Sequence, residues 1–121
     1  MTPFHLYLYG PMRGPIQSSF EEAESRLIEL PLLHFEPDGS FVWIRDAGKQ
    51  QIYGMVYDAR GRIQYCELQG HCMHPTWKVL CEAIAGAGGL DDFEVMLLPE
   101  QRLQDLQTFE EILWPNDKSS A

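Results

Sequence analysis

Basic residues are scarce in this 121-residue chain: nine Lys and Arg stand against eighteen Asp and Glu, for a net charge of −9. Phosphate backbones are held by clustered cations that displace counterions, and the nine here are scattered, so the composition argues against a nucleic-acid partner. The same balance disfavours adsorption to anionic membranes, and no apolar run approaches the length that spans a bilayer. The leading segment MTPFHLYLYGPM has no basic region and meets Gly and Pro early, which predicts no secretory signal. Cysteine is sparse and odd in number. Cys66, Cys72 and Cys81, irregularly spaced, predict reduced thiols and a cytoplasmic setting rather than a disulfide framework. GxSxG, P-loop, dinucleotide, HExxH and calcium-loop patterns are also missing, so no nucleotide-dependent chemistry is expected and no cofactor is assigned. The run Gly86-Ala87-Gly88-Gly89 follows a helical pattern instead of opening one; it would meet a phosphate with carbonyls and is expected to cap the helix.

What is present is an ordinary globular balance, 45% hydrophobic and 22% charged, which at this length predicts one domain with one core. The stretch from Phe41 to Gly70, FVWIRDAGKQQIYGMVYDARGRIQYCELQG, reads as three consecutive antiparallel strands because β-branched and aromatic residues alternate between turn signals. In Asp58-Ala59-Arg60-Gly61-Arg62 the Gly stands third in a three-residue loop, which pairs Asp58 with Arg62, Tyr57 with Ile63, Met55 with Tyr65 and Ile52 with Leu68. Around Asp46-Ala47-Gly48-Lys49 the Gly fits a two-residue or a three-residue loop. The three-residue loop gives the more consistent sheet. It gathers Phe41, Trp43, Tyr53, Met55, Tyr57, Ile63 and Tyr65 on one face and Val42, Ile44, Ile52, Val56, Cys66 and Leu68 on the other.

The flanks supply helices and further strands. Phe4 to Tyr9 is expected as a strand, at the sheet edge, and Leu32 to Glu36 as another, joined to Phe41 by the turn Pro37-Asp38-Gly39-Ser40. Ser19 with Glu22 makes a capping box for a helix over residues 19 to 30 that Pro31 stops, and the Glu residues of its outer face are accounted for by helix stabilisation rather than catalysis. Pro75 opens a second helix over 75 to 87, with Trp77, Leu80, Cys81 and Ile84 on its apolar face. Phe93 to Leu98 is a buried strand. Leu103, Leu106, Phe109, Ile112 and Leu113 continue a helical pattern over 99 to 114, with Thr108 and Glu111 offering a restart as a second short helix, before the polar tail 116–121. The fold class is therefore α+β: a mainly antiparallel meander of five to six strands with three helices packed on one face, expected to be the aliphatic one, where Gly54 lets a helix approach.

Two groups of residues are candidates for chemistry. The cluster His71-Cys72-Met73-His74, with Cys66 and Cys81 nearby in sequence, is the only grouping of metal-type ligands, but without paired short spacing no metal is assigned; a polar loop with two ordinary histidines, and two cysteines acting as small core hydrophobes, is the favoured account. Cys72 also precedes a helix start, where the dipole and a neighbouring imidazole lower a thiol pKa, which makes Cys72, His71 and His74 the candidates for a thiol-dependent enzyme or the mouth of a small-ligand pocket. The second group is the aromatic sheet face, Phe41, Trp43, Tyr53, Met55, Tyr57 and Tyr65. In element order alone, this small acidic domain resembles the acidic secretion chaperones, which dimerise and wrap an extended partner; no residue motif is shared, and the resemblance implies only that such an architecture can serve protein binding. The expectation is a non-enzymatic, chaperone-like interaction module that binds a protein partner or its own copy through that face. Against it stands the ordinary account of an aromatic stripe as core.

Overall fold

The computed structural model describes residues 1–115; the tail predicted over 116–121 lies outside the described residues. Its centre is the hairpin of β4 (Gln50–Ala59) and β5 (Arg62–His71). The turn is tighter than the three-residue loop expected from Gly61. Arg60 and Gly61 both take positive φ, 57° and 78°, and Ala59 pairs with Arg62. This is the two-residue turn whose twist matches that of the flanking strands. A bulge then shifts the register. Asp58 faces Ile63 but Tyr57 faces Tyr65, which leaves Gln64 as the extra residue, and its side-chain amide donates to the carbonyls of Ala59 and Arg62. From there Met55 meets Glu67 and Gly54 meets Leu68, rather than the predicted Tyr65 and a Leu68 facing Ile52. The bulge also turns Ile63 inward, off the aromatic face, where it is fully buried.

The turn between β3 (Ser40–Arg45) and β4 holds four residues, because Arg45 pairs with Gln50. Asp46, Ala47 and Gly48 all take positive φ. The buried Gln50 side chain fixes this turn: it donates to Asp46 Oδ2 (2.6 Å) and accepts from the backbone N–H of Met73 (2.9 Å). One residue more than the predicted loop slides β3 by one position and exchanges its two faces. Val42 and Ile44 join Tyr53 and Gln51, while Phe41 and Trp43 turn to the opposite side, facing Gly54 and Ile52.

Among the described residues seven antiparallel strands form one sheet, in the order β2 (Leu33–Phe35), β3, β4, β5, β1 (Phe4–Tyr9), β6 (Glu94–Leu97), β7 (Arg102–Asp105). Two of these placements differ from expectation. β1 is not at an edge but lies between β5 and β6, its alternate side chains Phe4, Leu6 and Leu8 buried. Residues 102–105, read as helix from the spacing of Leu103 and Leu106, pair instead with β6, whose ladder hydrogen bonds override a weak local preference. The third helix, α3 (Leu106–Leu113), is correspondingly short and starts at Asp105, whose carboxylate accepts from Thr108 N–H.

The three α-helices of the described residues pack on one face. The capping box of Ser19 and Glu22 opens α1 (Phe20–Leu27) as predicted, and α2 spans His74–Ala85. The interior between them and the sheet includes Leu6, Leu8, Ile52, Val56, Cys66, Leu68 and Val95 from the strands and Ala23, Leu27, Trp77, Leu80, Ile84, Leu106 and Phe109 from the helices. Trp77 sits at its centre against Phe4 and Phe109, with ring centroids at 5.1 and 5.4 Å, and satisfies its indole N–H on Glu110 (3.0 Å). Trp43 donates to the Pro31 carbonyl and the half-buried Trp114 to that of Cys72, so each large ring packs without stranding its polar group. Gly54 makes room for the ring of Phe41 rather than for a helix: a Cβ at residue 54 would collide with that ring. Arg26 of α1 caps the end of α2, donating to the carbonyls of Ala83 (2.6 Å) and Ile84 (3.2 Å) and to Ser18 Oγ (2.6 Å).

Candidate interaction face

With every helix on one side, the other side of the sheet carries no covering element among the described residues. The strand registers fix what it displays. One row runs across Val42, Tyr53, Gln69 and His5; the next across Ser40, Met55, Glu67, Tyr7, Met96 and Leu103; the next across Tyr57, Tyr65, Tyr9 and Glu94. All five tyrosines of the chain, Tyr7, Tyr9, Tyr53, Tyr57 and Tyr65, thus lie on this face. Four of them touch. Tyr57 stacks on Tyr65 at 4.7 Å, and Tyr65 meets Tyr9 at 5.5 Å and Tyr7 at 5.0 Å. This cross-strand ladder spans β4, β5 and β1.

Glu67 stands beside the ladder. Its Oε2 lies 2.7 Å from His5 Nε2, while Oε1 receives only a long contact, 3.4 Å, from the Tyr57 hydroxyl. Partial desolvation raises the phenol pKa of both Tyr57 and Tyr65, and the Glu67 carboxylate adds to the rise, so both remain protonated donors at neutral pH. At one end the face dips into an open hollow of about 550 Å³, lined by Phe4, His5, Gln51, Tyr53, Gln69 and His71 among others.

Of the six aromatic and Met residues singled out from sequence, Tyr53, Met55, Tyr57 and Tyr65 lie together here. Phe41 and Trp43 do not: the four-residue turn puts them under the helices, 4% and 2% exposed. Tyr7, Tyr9, His5, Glu67 and Met96 were missed. The alternation in FHLYLY already sets Tyr7 and Tyr9 on one side of a strand, but nothing local says that the strand lies next to β5.

The second candidate group is dispersed. His71 faces the open hollow. Cys72 points into the interior, where burial pushes its thiol up to about 12, the opposite of the lowered pKa expected from its place before α2. His74 opens α2 with its ring 5.2 Å from that of Trp114 and 3.5 Å from Glu110, beside a separate hollow of about 510 Å³. Cys66 and Cys81 are fully buried and their thiols are raised by the same desolvation. Among the described residues no group of three or more His, Cys, Asp or Glu is arranged to hold a metal ion, and no helix is long and apolar enough to cross a membrane.

No family model, curated protein or solved structure matches this chain. Function is therefore argued from the site alone.

Proposed function

We propose that this protein is a non-enzymatic interaction module that binds a polypeptide on the open face of its sheet. The observation that carries this reading is the segregation of the aromatic side chains: Phe and Trp fill the helix-covered interior, while all five tyrosines stand on the uncovered face. A tyrosine offers a large rigid apolar surface with a hydroxyl at its rim, at little entropic cost when immobilised, which suits recognition better than structure. Folding alone does not require five such residues where no element covers them. Tyr53 is 53% exposed and Tyr57 36%, with exposed Ile44 on the neighbouring strand and Leu103 on the far edge strand of the same face, so an apolar area set around Glu67, Gln69 and His5 is open to a partner. Three free and buried thiols support work in a reducing, cytoplasmic setting. Selection of peptides from a random display library on the wild-type protein tests the reading. The selected peptides should bind poorly to the Tyr53→Ser, Tyr57→Ser double variant, and equal binding to both proteins counts against it.

A second reading has its own support in the hollow at the end of the same face. Its volume falls within the range of small-molecule sites, and Gln51, Gln69, His5 and His71 bring paired amide and imidazole groups to it. A small-molecule screen by thermal shift, repeated on Gln69→Ala, separates this reading from the first.

A further inference from the structure

We propose that the partner of the open face is a cationic, arginine-bearing segment, with a guanidinium seated at Glu67 among Tyr7, Tyr9, Tyr57 and Tyr65. This rests on the reading of that face as a peptide-binding surface and adds the chemistry of what binds. Charge is the first argument. The chain carries −9 overall, and the register places Glu67, Glu94 and Asp105 on this face against one cationic strand residue, Arg62 at the hairpin tip. Both other arginines of the strands turn away: Arg45 lies over the Trp43 ring at 5.2 Å and reaches Thr76, and Arg102 pairs with Leu97 on the helix-covered side. A second copy meeting this face would set carboxylate against carboxylate, so charge favours a basic partner over self-association.

The local geometry is the second argument. Glu67 Oε2 is held by His5 at 2.7 Å, which orients the carboxylate. Its Oε1 has only the 3.4 Å contact with Tyr57, beyond the usual range for a hydroxyl donor, and so is ready to accept a short charge-assisted N–H bond. The Tyr57 hydroxyl touches that oxygen, Tyr7 faces Glu67 across the β1–β5 ladder and Tyr65 stacks on Tyr57, and a cation near such electron-rich rings gains from their quadrupoles. Arginine suits the place better than lysine, because its planar group can stack on a ring while its N–H groups engage the carboxylate.

The test uses three synthetic peptides of one length, about ten residues, alternating an apolar residue with Arg, Gln or Glu, titrated into isotope-labelled protein and followed by NMR. The Arg peptide should shift amide signals along β1, β4 and β5, more tightly at low salt, with affinity reduced about tenfold in either Glu67→Gln or Tyr57→Ser. Glu21→Gln with Glu29→Gln, remote and exposed on the helical side, should change it by less than about twofold. If the remote pair loses as much as Glu67→Gln, the attraction is one of net charge and the proposal fails. Should the Gln or Glu peptide bind the open face as tightly as the Arg peptide, the cationic partner is wrong while the peptide-binding reading stands. Absence of shifts on the open face with all three overturns both, and a dimer dissolved by Tyr53→Ser assigns the face to a second copy instead.

Discussion

Phe41 and Gly54 face each other across β3 and β4, and the fit of one to the other fixes which face of β3 is core. Phe41 is almost wholly buried, its ring stacked on Phe35 at 6.2 Å and 9° and filling the space that a Cβ on residue 54 would need. Phe41→Ala should cost about 3–5 kcal/mol, as for a large aromatic removed from a packed core. Gly54→Ala alone should cost about 1–3 kcal/mol, because the added methyl overpacks against a ring that cannot retreat. In the Phe41→Ala background the same methyl enters vacated space and stiffens a strand, so there it should stabilise by about 0.5–1 kcal/mol. The cycle therefore predicts a coupling of about −1.5 to −4 kcal/mol between the two positions. Urea unfolding followed by tryptophan fluorescence reads all four proteins. A chain of this length is expected to hold about 6–18 kcal/mol, which leaves Phe41→Ala measurable. Additive costs, or a Phe41→Ala loss under about 1 kcal/mol, would show that Phe41 is not packed over Gly54 and that the register of β3 is wrong.

Three further outcomes follow from the interior and the helix ends. Arg26→Met should destabilise by about 2–4 kcal/mol, since it keeps an apolar stem but removes charge-assisted bonds to the last carbonyls of α2, and Arg26→Lys should recover part of this; a loss in Arg26→Met under about 1 kcal/mol would show that the stem and not the guanidinium holds the helix end. Native protein at pH 8 should react with iodoacetamide far more slowly than urea-unfolded protein, because burial holds the thiols of Cys66 and Cys72 up at about 12; fast labelling of Cys72 would restore it as a reactive thiol. The carboxyl pKa values of Glu22, Asp38 and Asp105 are lowered by bonds to Ser19, Ser40 and Thr108 respectively. Each therefore adds stability that is present above its unfolded value, 4.5 for Glu and 3.8 for Asp, and is lost as pH falls through the lower folded value. Asp105→Asn should flatten part of this acid dependence in urea titrations between neutral pH and pH 2, and an unchanged slope would remove the cap from the explanation.

Much of the architecture was legible because local chemistry and tertiary packing agree. The alternation of Tyr53, Met55 and Tyr57 with Ile52 and Val56 survives in the structure, since each strand has one dry side and one wet side. So does the capping box at Ser19. The errors arose where non-local pairing decides. Gly48 signals a turn but not its length, and the four-residue loop is held by Gln50, which reaches Asp46 within the turn and the start of α2, a part of the chain distant in sequence. That one residue moved Phe41 and Trp43 out of the candidate face. Leu103 and Leu106 carry a helical spacing that pairing with β6 overrides, which hid the seventh strand. The tyrosine face was half visible: β4 and β5 supply it from one contiguous stretch, whereas β1 brings Tyr7 and Tyr9 from sixty residues away. The cluster of His71, Cys72 and His74 illustrates the converse, because neighbours in sequence at a strand end and a helix start point to three different environments.

The central claim is that the tyrosine face serves binding and not packing, and one pair of measurements on the Tyr53→Ser, Tyr57→Ser protein tests it most directly: its unfolding free energy in urea and its affinity for peptides selected on the wild type. Loss of the Tyr57–Tyr65 stack and of partly exposed ring area should cost less than about 2 kcal/mol, well short of a core aromatic, while the peptide affinity falls by tenfold or more. A loss of about 3–5 kcal/mol with affinity unchanged would contradict the account and make these tyrosines part of the packing.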